Sequence, residues 1–498
     1  MIIAKKIVKR ISNFFRENKL VCVLFILSTL FYIYQHYSYL SWDFSAYVLN
    51  SRYLFSDGTY FESQRPPLAT LIIGTFIFLG KGAEYLYIIM VSSLFLYTSM
   101  KSADSFFRLA NLNFDREFAR FVFYFFSLSI FSLLLGLKEG TELLTLAFLE
   151  LFLVQLFEGK ISGAYLGLAF LARYQTIIFF PLLIFSGYFK KILKNVFIFI
   201  LIIFPWFLLT FVSYGNWFTS FVDGYAQNVA LRESGFMPFD FNDVVKVGGV
   251  YLITAFFGIV IFLLRMRKIS RDWWKENKVI ILMFIVSFII IYSYYIVPFK
   301  FARYLFNLIL PIAFFSSVFI LTLIKEFKRL KIYKNYIFLL LFFIFIVTII
   351  ITTGRVYYER NSMDKFFDAA QDIKRFEIGD CEILSPHWVP VSYFTENVYP
   401  LGENLPYLIE KNKMILIFNE ETLDDSSTES EISSLPVFYR SDEYTFYAGQ
   451  DINENCSKKY IYNRTYVKEH CKFISERFAM LGLDSLIQKI CESINLRS

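Results

Sequence analysis

Apolar positions gather into runs of about 18–20 residues over the first 353 residues, with short polar and mostly basic stretches between them. A run of that length crosses the hydrocarbon core of a bilayer as a helix. The pattern predicts about eleven spans, near residues 20–40, 83–100, 119–137, 141–157, 161–173, 174–189, 195–213, 247–264, 279–297, 304–324 and 336–353. Two stretches depart from it. Residues 66–80 are apolar enough to span, yet a span there would move residues 101–120 and every later basic loop to the opposite side. Pro67–Leu79 is therefore expected to lie on, or dip into, one face of the membrane. Ile161–Phe189 has basic residues beyond both ends and one internal charge, Arg173. It is too long for one span whose ends lie on the same side and too short for two full ones. Two short helices meeting at Arg173 satisfy both conditions. Such a break is tolerated where it lines a cavity, so Arg173 is expected at the floor of an outward-facing, water-accessible cavity.

The pattern changes near Gly354. Charged residues become frequent, and strand-like pieces (Cys381–Leu384, Met414–Phe418, Val437–Tyr439, Tyr444–Tyr447) alternate with helical ones (Met363–Phe376, Lys468–Ile490). The expected organisation is a membrane helical bundle over 1–353 and a small α/β domain over 354–498. Four of the five cysteines lie in the second part: Cys381, Cys456, Cys471 and Cys491. An even number there permits two disulfides in any of three pairings, with free buried thiols as the alternative. Two glycosylation triplets begin at Asn455 and Asn463.

Composition supports a membrane protein: 56% of residues are hydrophobic and 19% charged, whereas soluble domains carry about 25% charged residues. The net charge of +7 does not argue for nucleic acid, because the basic residues sit beside span ends. Six segments (1–19, 101–120, 158–160, 190–194, 265–278 and 325–335) hold about 25 Lys and Arg, against about nine in the alternating segments. That asymmetry predicts a multi-pass cell-membrane protein with a cytoplasmic N-terminus and an exterior C-terminal domain. The first run, Leu20–Tyr37, has no small-residue cleavage site after it and is expected to remain as a span.

This topology collects charges at one face: Asp43, Arg52, Asp57, Glu62 and Arg65 after the first span, then Lys138, Glu139 and Glu142, then Arg173. The loop 214–246 adds Asp223, Arg232, Glu233, Asp240 and Asp243, and the turn 298–303 adds Lys300 and Arg303. Charges in or beside the apolar layer are costly and tend to face a cavity or a partner. Several cations with a few carboxylates at a bundle end suit a phosphate-bearing amphiphile, its phosphate gripped by Arg. No nucleotide-binding glycine loop or metal-ligand spacing is present; His36, His387 and His470 are far apart.

Five short patterns carry a family resemblance. Trp42-Asp43-Phe44-Ser45-Ala46-Tyr47 resembles the acidic first-loop motif of GT-C glycosyltransferases. The branch in question holds protein O-mannosyltransferases and the lipid A aminoarabinose transferase. Gln64-Arg65-Pro66-Pro67-Leu68 resembles that branch's basic-residue-before-proline motif. Leu166–Arg173 resembles its short broken span ending in a basic residue. Pro205-Trp206 followed by Tyr214-Gly215-Asn216 resembles the end of a middle span, and Lys300–Leu305 followed by Pro311 resembles the late basic-Tyr turn.

The resemblance implies transfer of one sugar, with inversion, from a polyprenyl- or dolichyl-phosphate donor to an exterior protein, glycan or lipid. Asp43 would be the general base. Arg65, Arg173, Arg303 and Lys300 would hold the lipid phosphate. Glu142 or Glu139 would orient Asp43 or the acceptor, and Tyr47, Glu62 and Tyr304 would line the pocket. Many relatives carry a second acid directly after the first-loop Asp, where this chain has Phe44. No cofactor is expected, with a divalent cation the one candidate left open.

Blander roles stand beside these. Asp43 suits a helix N-cap, Arg65 a snorkelling arginine, Lys300 and Arg303 turn caps, and Glu139 and Glu142 structural partners of Lys138 or Arg173. The competing functions are a transporter or lipid flippase, and a non-catalytic GT-C-like subunit. A transporter built on inverted repeats would carry two corresponding interrupted segments, and the sequence has one clear case.

Overall fold

The computed structural model describes residues 17–110, 112, 114–225, 238–265, 273–297, 300–326, 334–376, 383–395, 398–401, 414–419, 432, 435–448, 462–464, 485 and 488–489. Most of these residues are helical, and each apolar run coincides with helix. Among the described residues, six helices are long and apolar enough to cross a membrane: Lys19–Ser38, Lys81–Leu109, Phe189–Tyr214, Asn277–Ile296, Ala302–Glu326 and Asn335–Arg375. Other predicted spans are shorter or broken. The 119–137 run forms two helices, Arg116–Ser127 and Ile130–Leu135. Ser129 caps the second, its hydroxyl accepting from the Ser132 N–H at 3.2 Å. The 247–264 run is broken after Gly248: the helix Phe241–Gly248 meets the one that starts at Tyr251 at 91°. The turn passes through Gly249 at φ +50°, a conformation that costs glycine little and other residues more.

Between the first two spans the chain forms a helix (Trp42–Phe55), a short strand β1 (Tyr60–Glu62) and a second helix (Pro67–Thr75) that a short 3₁₀ turn extends to Leu79. Pro66 and Pro67 fix its start, since a proline N–H is not missed in a first helical turn. Residues 161–189 break as the charge pattern requires. Gly163–Ala172 is helical, Arg173 is extended (φ −152°, ψ 119°), and Tyr174–Ser186 follows as 3₁₀ helix.

The helix of the last span continues past residue 353. A single helix runs from Lys334 to Arg375 and absorbs the separate helix expected at Met363–Phe376. Beyond it lies a five-stranded sheet in the order β3-β2-β4-β6-β5, formed by β2 (Ile383–Ser385), β3 (Val398–Pro400), β4 (Met414–Phe418), β5 (Val437–Arg440) and β6 (Tyr444–Ala448). β2 runs parallel to β3 and β4, and β6 antiparallel to β4 and β5. A final strand, β7 (Tyr462–Arg464), pairs with β1. The short helix Trp388–Thr395 carries this region onto the bundle. The Tyr393 hydroxyl donates to the Glu84 carboxylate at 2.9 Å, and Arg52 Nη1 donates to the Tyr393 carbonyl at 2.8 Å. Cys381, Cys456, Cys471 and Cys491, the triplet at Asn455, and nearly all of Lys468–Ile490 lie outside the described residues, so the disulfide alternatives stay open.

Candidate active site

Ser41, rather than Asp43, caps the helix Trp42–Phe55. Its Oγ accepts from the Phe44 N–H at 3.1 Å and donates to the Lys138 carbonyl at 2.7 Å. That second bond ties the first loop to the turn before the helix Glu142–Phe157. With the cap supplied elsewhere, the Asp43 carboxylate is free to point toward two guanidiniums. Arg65 Nη1 lies 2.5 Å from its Oδ1 and Arg303 Nη1 lies 2.7 Å from its Oδ2. Burial alone pushes the Asp43 carboxyl up. The charges and hydrogen bonds of Arg65 and Arg303 outweigh that and hold it well below the usual carboxylate range.

Each arginine is held in turn. Arg65 Nε donates to Glu62 Oε2 at 2.6 Å, and its guanidinium stands 5.9 Å from the centre of the Tyr47 ring. Arg303 Nη1 is also 3.8 Å from Glu139 Oε2. Burial pushes the Glu139 carboxyl up and the Asp43 charge adds to this, while Arg303 opposes it; the group ends at about 7. Arg173, at the break of the short span, pairs with Glu142 and donates from Nε to Gln175 Oε1 at 2.9 Å. Glu142 is 2% exposed. A carboxylate so deeply buried beside an arginine is expensive unless paired, which answers the question of why a lone charge sits in an apolar stretch.

Asp43, Arg65, Arg173 and Arg303 line one cavity of about 330 Å³, together with Tyr47, Glu142 and Tyr304. Apolar side chains share its lining, among them Ile177, Ile178, Phe221, Ile290, Ile296 and Val297. Three expected site residues stand outside its lining. Glu62 is behind Arg65, Glu139 is behind Arg303, and Lys300 donates to the backbone carbonyls of Tyr295 and Val297. Of the other loop charges collected at this face in the sequence, Lys138 pairs with Glu359, Asp223 accepts from Ser63, and Asp243 is held by Lys246 and Tyr294. Arg232 and Glu233 lie outside the described residues. The apolar part of the lining carried no signal of its own in the sequence, because its residues are ordinary for membrane helices. Among the described residues, buried polar atoms without a hydrogen-bond partner include Arg303 Nε, the Tyr304 hydroxyl and both amide atoms of Gln64. No three His, Cys, Asp or Glu among them group closely enough to hold a metal.

No protein-family model and no curated protein sequence matches the chain. Solved structures do. ArnT from Cupriavidus metallidurans bound to undecaprenyl phosphate superposes with a TM-score of 0.63 at 12% identity, over 88% of this chain and 99% of that one. The apo form of the same transferase gives 0.55 at 12% identity, over 86% and 98%. The chain has the GT-C fold. Within that fold the loop after the first span, the broken span and the 3₁₀ turn at 302–308 converge on the cavity. They carry four of the five patterns by which the sequence resembles the family.

Proposed function

We propose that the protein transfers a sugar from a polyprenyl- or dolichyl-phosphate donor to an acceptor on the exterior side, with inversion. The observation that carries this reading is the Asp43 carboxylate between Arg65 and Arg303, in a cavity whose lining also holds apolar side chains suited to an isoprenoid tail. The ArnT structure with bound undecaprenyl phosphate supports it. In the proposed step the acceptor hydroxyl attacks the anomeric carbon as the bond from that carbon to the phosphate oxygen breaks. Asp43 takes the hydroxyl proton, and the lipid phosphate leaves as an anion. Arg65, Arg173 and Arg303 take up the charge that grows on the phosphate, and the unpartnered Nε–H of Arg303 is spare capacity for it. Before the donor arrives the two guanidiniums make Asp43 a weak base. A donor phosphate competes for them, so Asp43 gains basicity only when there is something to attack. Concerted departure of the phosphate lowers the basicity required.

On this reading Glu139 and Glu142 orient the arginines, Glu62 holds Arg65, and Tyr47 and Tyr304 line the sugar's approach. Lys300 serves its own loop, and no resident metal takes part. The N-terminus is cytoplasmic by the distribution of Lys and Arg. Residues 1–353 form the catalytic unit, and 354–498 an exterior one. The test is transfer by purified protein given polyprenyl-phosphate sugars and a membrane extract. Asp43→Asn is expected to abolish it, by about 10²–10⁴-fold, while Asp57→Asn, exposed at the end of its helix, keeps it. Movement of the lipid without covalent transfer would overturn the enzyme in favour of a flippase.

A further inference from the structure

Trp388 opens the helix Trp388–Thr395, far from Asp43 in sequence and outside the cavity lining, yet it meets the first loop in two ways. Its ring stands edge-on to Trp42, the residue before Asp43, with centroids 4.6 Å apart at 89°. Its Nε1–H donates to the Tyr60 hydroxyl at 3.1 Å. Tyr60 donates to Glu62 Oε1 at 2.5 Å, Glu62 Oε2 accepts from Arg65 Nε at 2.6 Å, and Arg65 Nη1 reaches Asp43 at 2.5 Å.

The direction of this chain is forced. An indole N–H only donates, so the Tyr60 oxygen accepts there and its single proton goes to Glu62. The two carboxylate oxygens are thereby divided, one for Tyr60 and one for Arg65. Freed from Tyr60, Glu62 is able to take Arg65 in a forked pair through both oxygens, which draws Nη1 away from Asp43. Tyr60 and Glu62 are each 3% exposed, so water does not readily replace a lost link.

We infer that Trp388 is a positioning residue: through Tyr60 and Glu62 the C-terminal region sets the geometry of the Arg65–Asp43 pair. The inference rests on the proposed roles of Asp43 as base and Arg65 as phosphate ligand. It gives the C-terminal region a part in the chemistry although none of its described side chains lines the cavity, and it makes displacement of the 388–395 helix a way to slow transfer.

A double-mutant cycle on the full chain tests it. Trp388→Phe keeps a ring against Trp42 and removes the N–H. Tyr60→Phe removes the hydroxyl that Glu62 uses. The readouts are kcat and KM with a polyprenyl-phosphate sugar, and separately the affinity for undecaprenyl phosphate. Trp388→Phe is expected to lower kcat about threefold and Tyr60→Phe about tenfold, with lipid-phosphate affinity weakened by similar factors. The double variant is expected to match Tyr60→Phe alone, because both cut one chain. Losses that multiply, or single variants equal to wild type, overturn the inference. A purely structural role would instead lower the melting temperature and the folded fraction, with kcat per folded molecule unchanged. If Asp43→Asn retains transfer, the proposed function fails, and the coupling is still read in lipid-phosphate affinity.

Discussion

Arg303 and Asp43 are 260 residues apart in the chain and 2.7 Å apart in the fold. Arg303 takes Oδ2 while Arg65 holds Oδ1, so neither guanidinium substitutes for the other. Arg65 also uses a separate N–H group on Glu62, and a lysine has one point of charge where arginine has a fork. Arg65→Lys is therefore expected to cost about 10–100-fold in kcat/KM, the worth of one charged hydrogen bond. Steady-state kinetics with a polyprenyl-phosphate sugar check this. A variant within twofold of wild type would mean that Arg65 acts only as a diffuse positive charge.

The pair of Glu142 and Arg173 separates stability from function. Both side chains are largely buried, 2% and 13% exposed. Glu142→Ala leaves Arg173 uncompensated and is expected to destabilise the fold by about 3–5 kcal/mol. Adding Arg173→Met removes the stranded charge, and most of that loss should return. Transfer should not return, because the phosphate loses a ligand. Thermal unfolding in detergent and turnover, measured on the same samples, give the two answers independently.

The bundle was legible because membrane spans are written in long apolar runs. The sharpest reading concerned residues 161–189, where length and charge together required a break at Arg173. Arg173 was visible as a lone charge inside an apolar stretch, and Asp43, Arg65 and Arg303 as loop charges gathered at one face and picked out by the family patterns. Their partners were less so. That Glu142 rather than Glu139 answers Arg173 depends on how the helix Glu142–Phe157 is rotated, which periodicity does not reveal in a helix apolar on every side. Lys300 shows the opposite failure: beside Arg303 in sequence, it turns to the carbonyls of its own loop. The role of Trp388 had no signal, since a hydrogen-bond relay across 300 residues leaves no local pattern. The long helix Lys334–Arg375 was cut in two because a change from apolar to polar composition resembles an ending, although a helix leaving a membrane needs none.

Glu139 predicts a pH dependence. Its carboxyl is raised from an ordinary 4.5 to about 7. Between those values the folded protein keeps a proton that the unfolded chain has released. Stability therefore falls as pH rises through that window and levels off above it. Glu139→Gln removes the titration. Its melting temperature should match wild type near about pH 4.5 and exceed it by a growing margin up to about pH 7. A difference that stays constant with pH would show that Glu139 does not titrate there.

The break at Arg173 is anchored from the far end of its own short helix. A Cβ on Gly163 would lie 1.9 Å from the Asn195 carbonyl oxygen, and one on Gly167 would lie 2.9 Å from the Ile202 side chain. Both glycines face the helix Phe189–Tyr214, four residues apart, the spacing that lets membrane helices approach closely. Asn195 exploits the contact, its Oδ1 accepting the Ser162 and Gly163 N–H groups at 2.8 and 3.0 Å, so one helix caps another. Ser162 makes no side-chain cap itself. Gly163→Val must push the helices apart at a backbone, where nothing can rotate aside. The expected cost is about 1–3 kcal/mol, and the displacement is carried along ten residues to Arg173. Gly167→Ala meets the Ile202 side chain, with the Phe199 carbonyl oxygen at an ordinary 3.4 Å, and should cost less. Turnover is therefore expected to fall in Gly163→Val beyond what its folded fraction explains, and to track folded fraction in Gly167→Ala. Equal behaviour of the two variants would mean that the cap at Asn195, and not the close approach, fixes the position of Arg173.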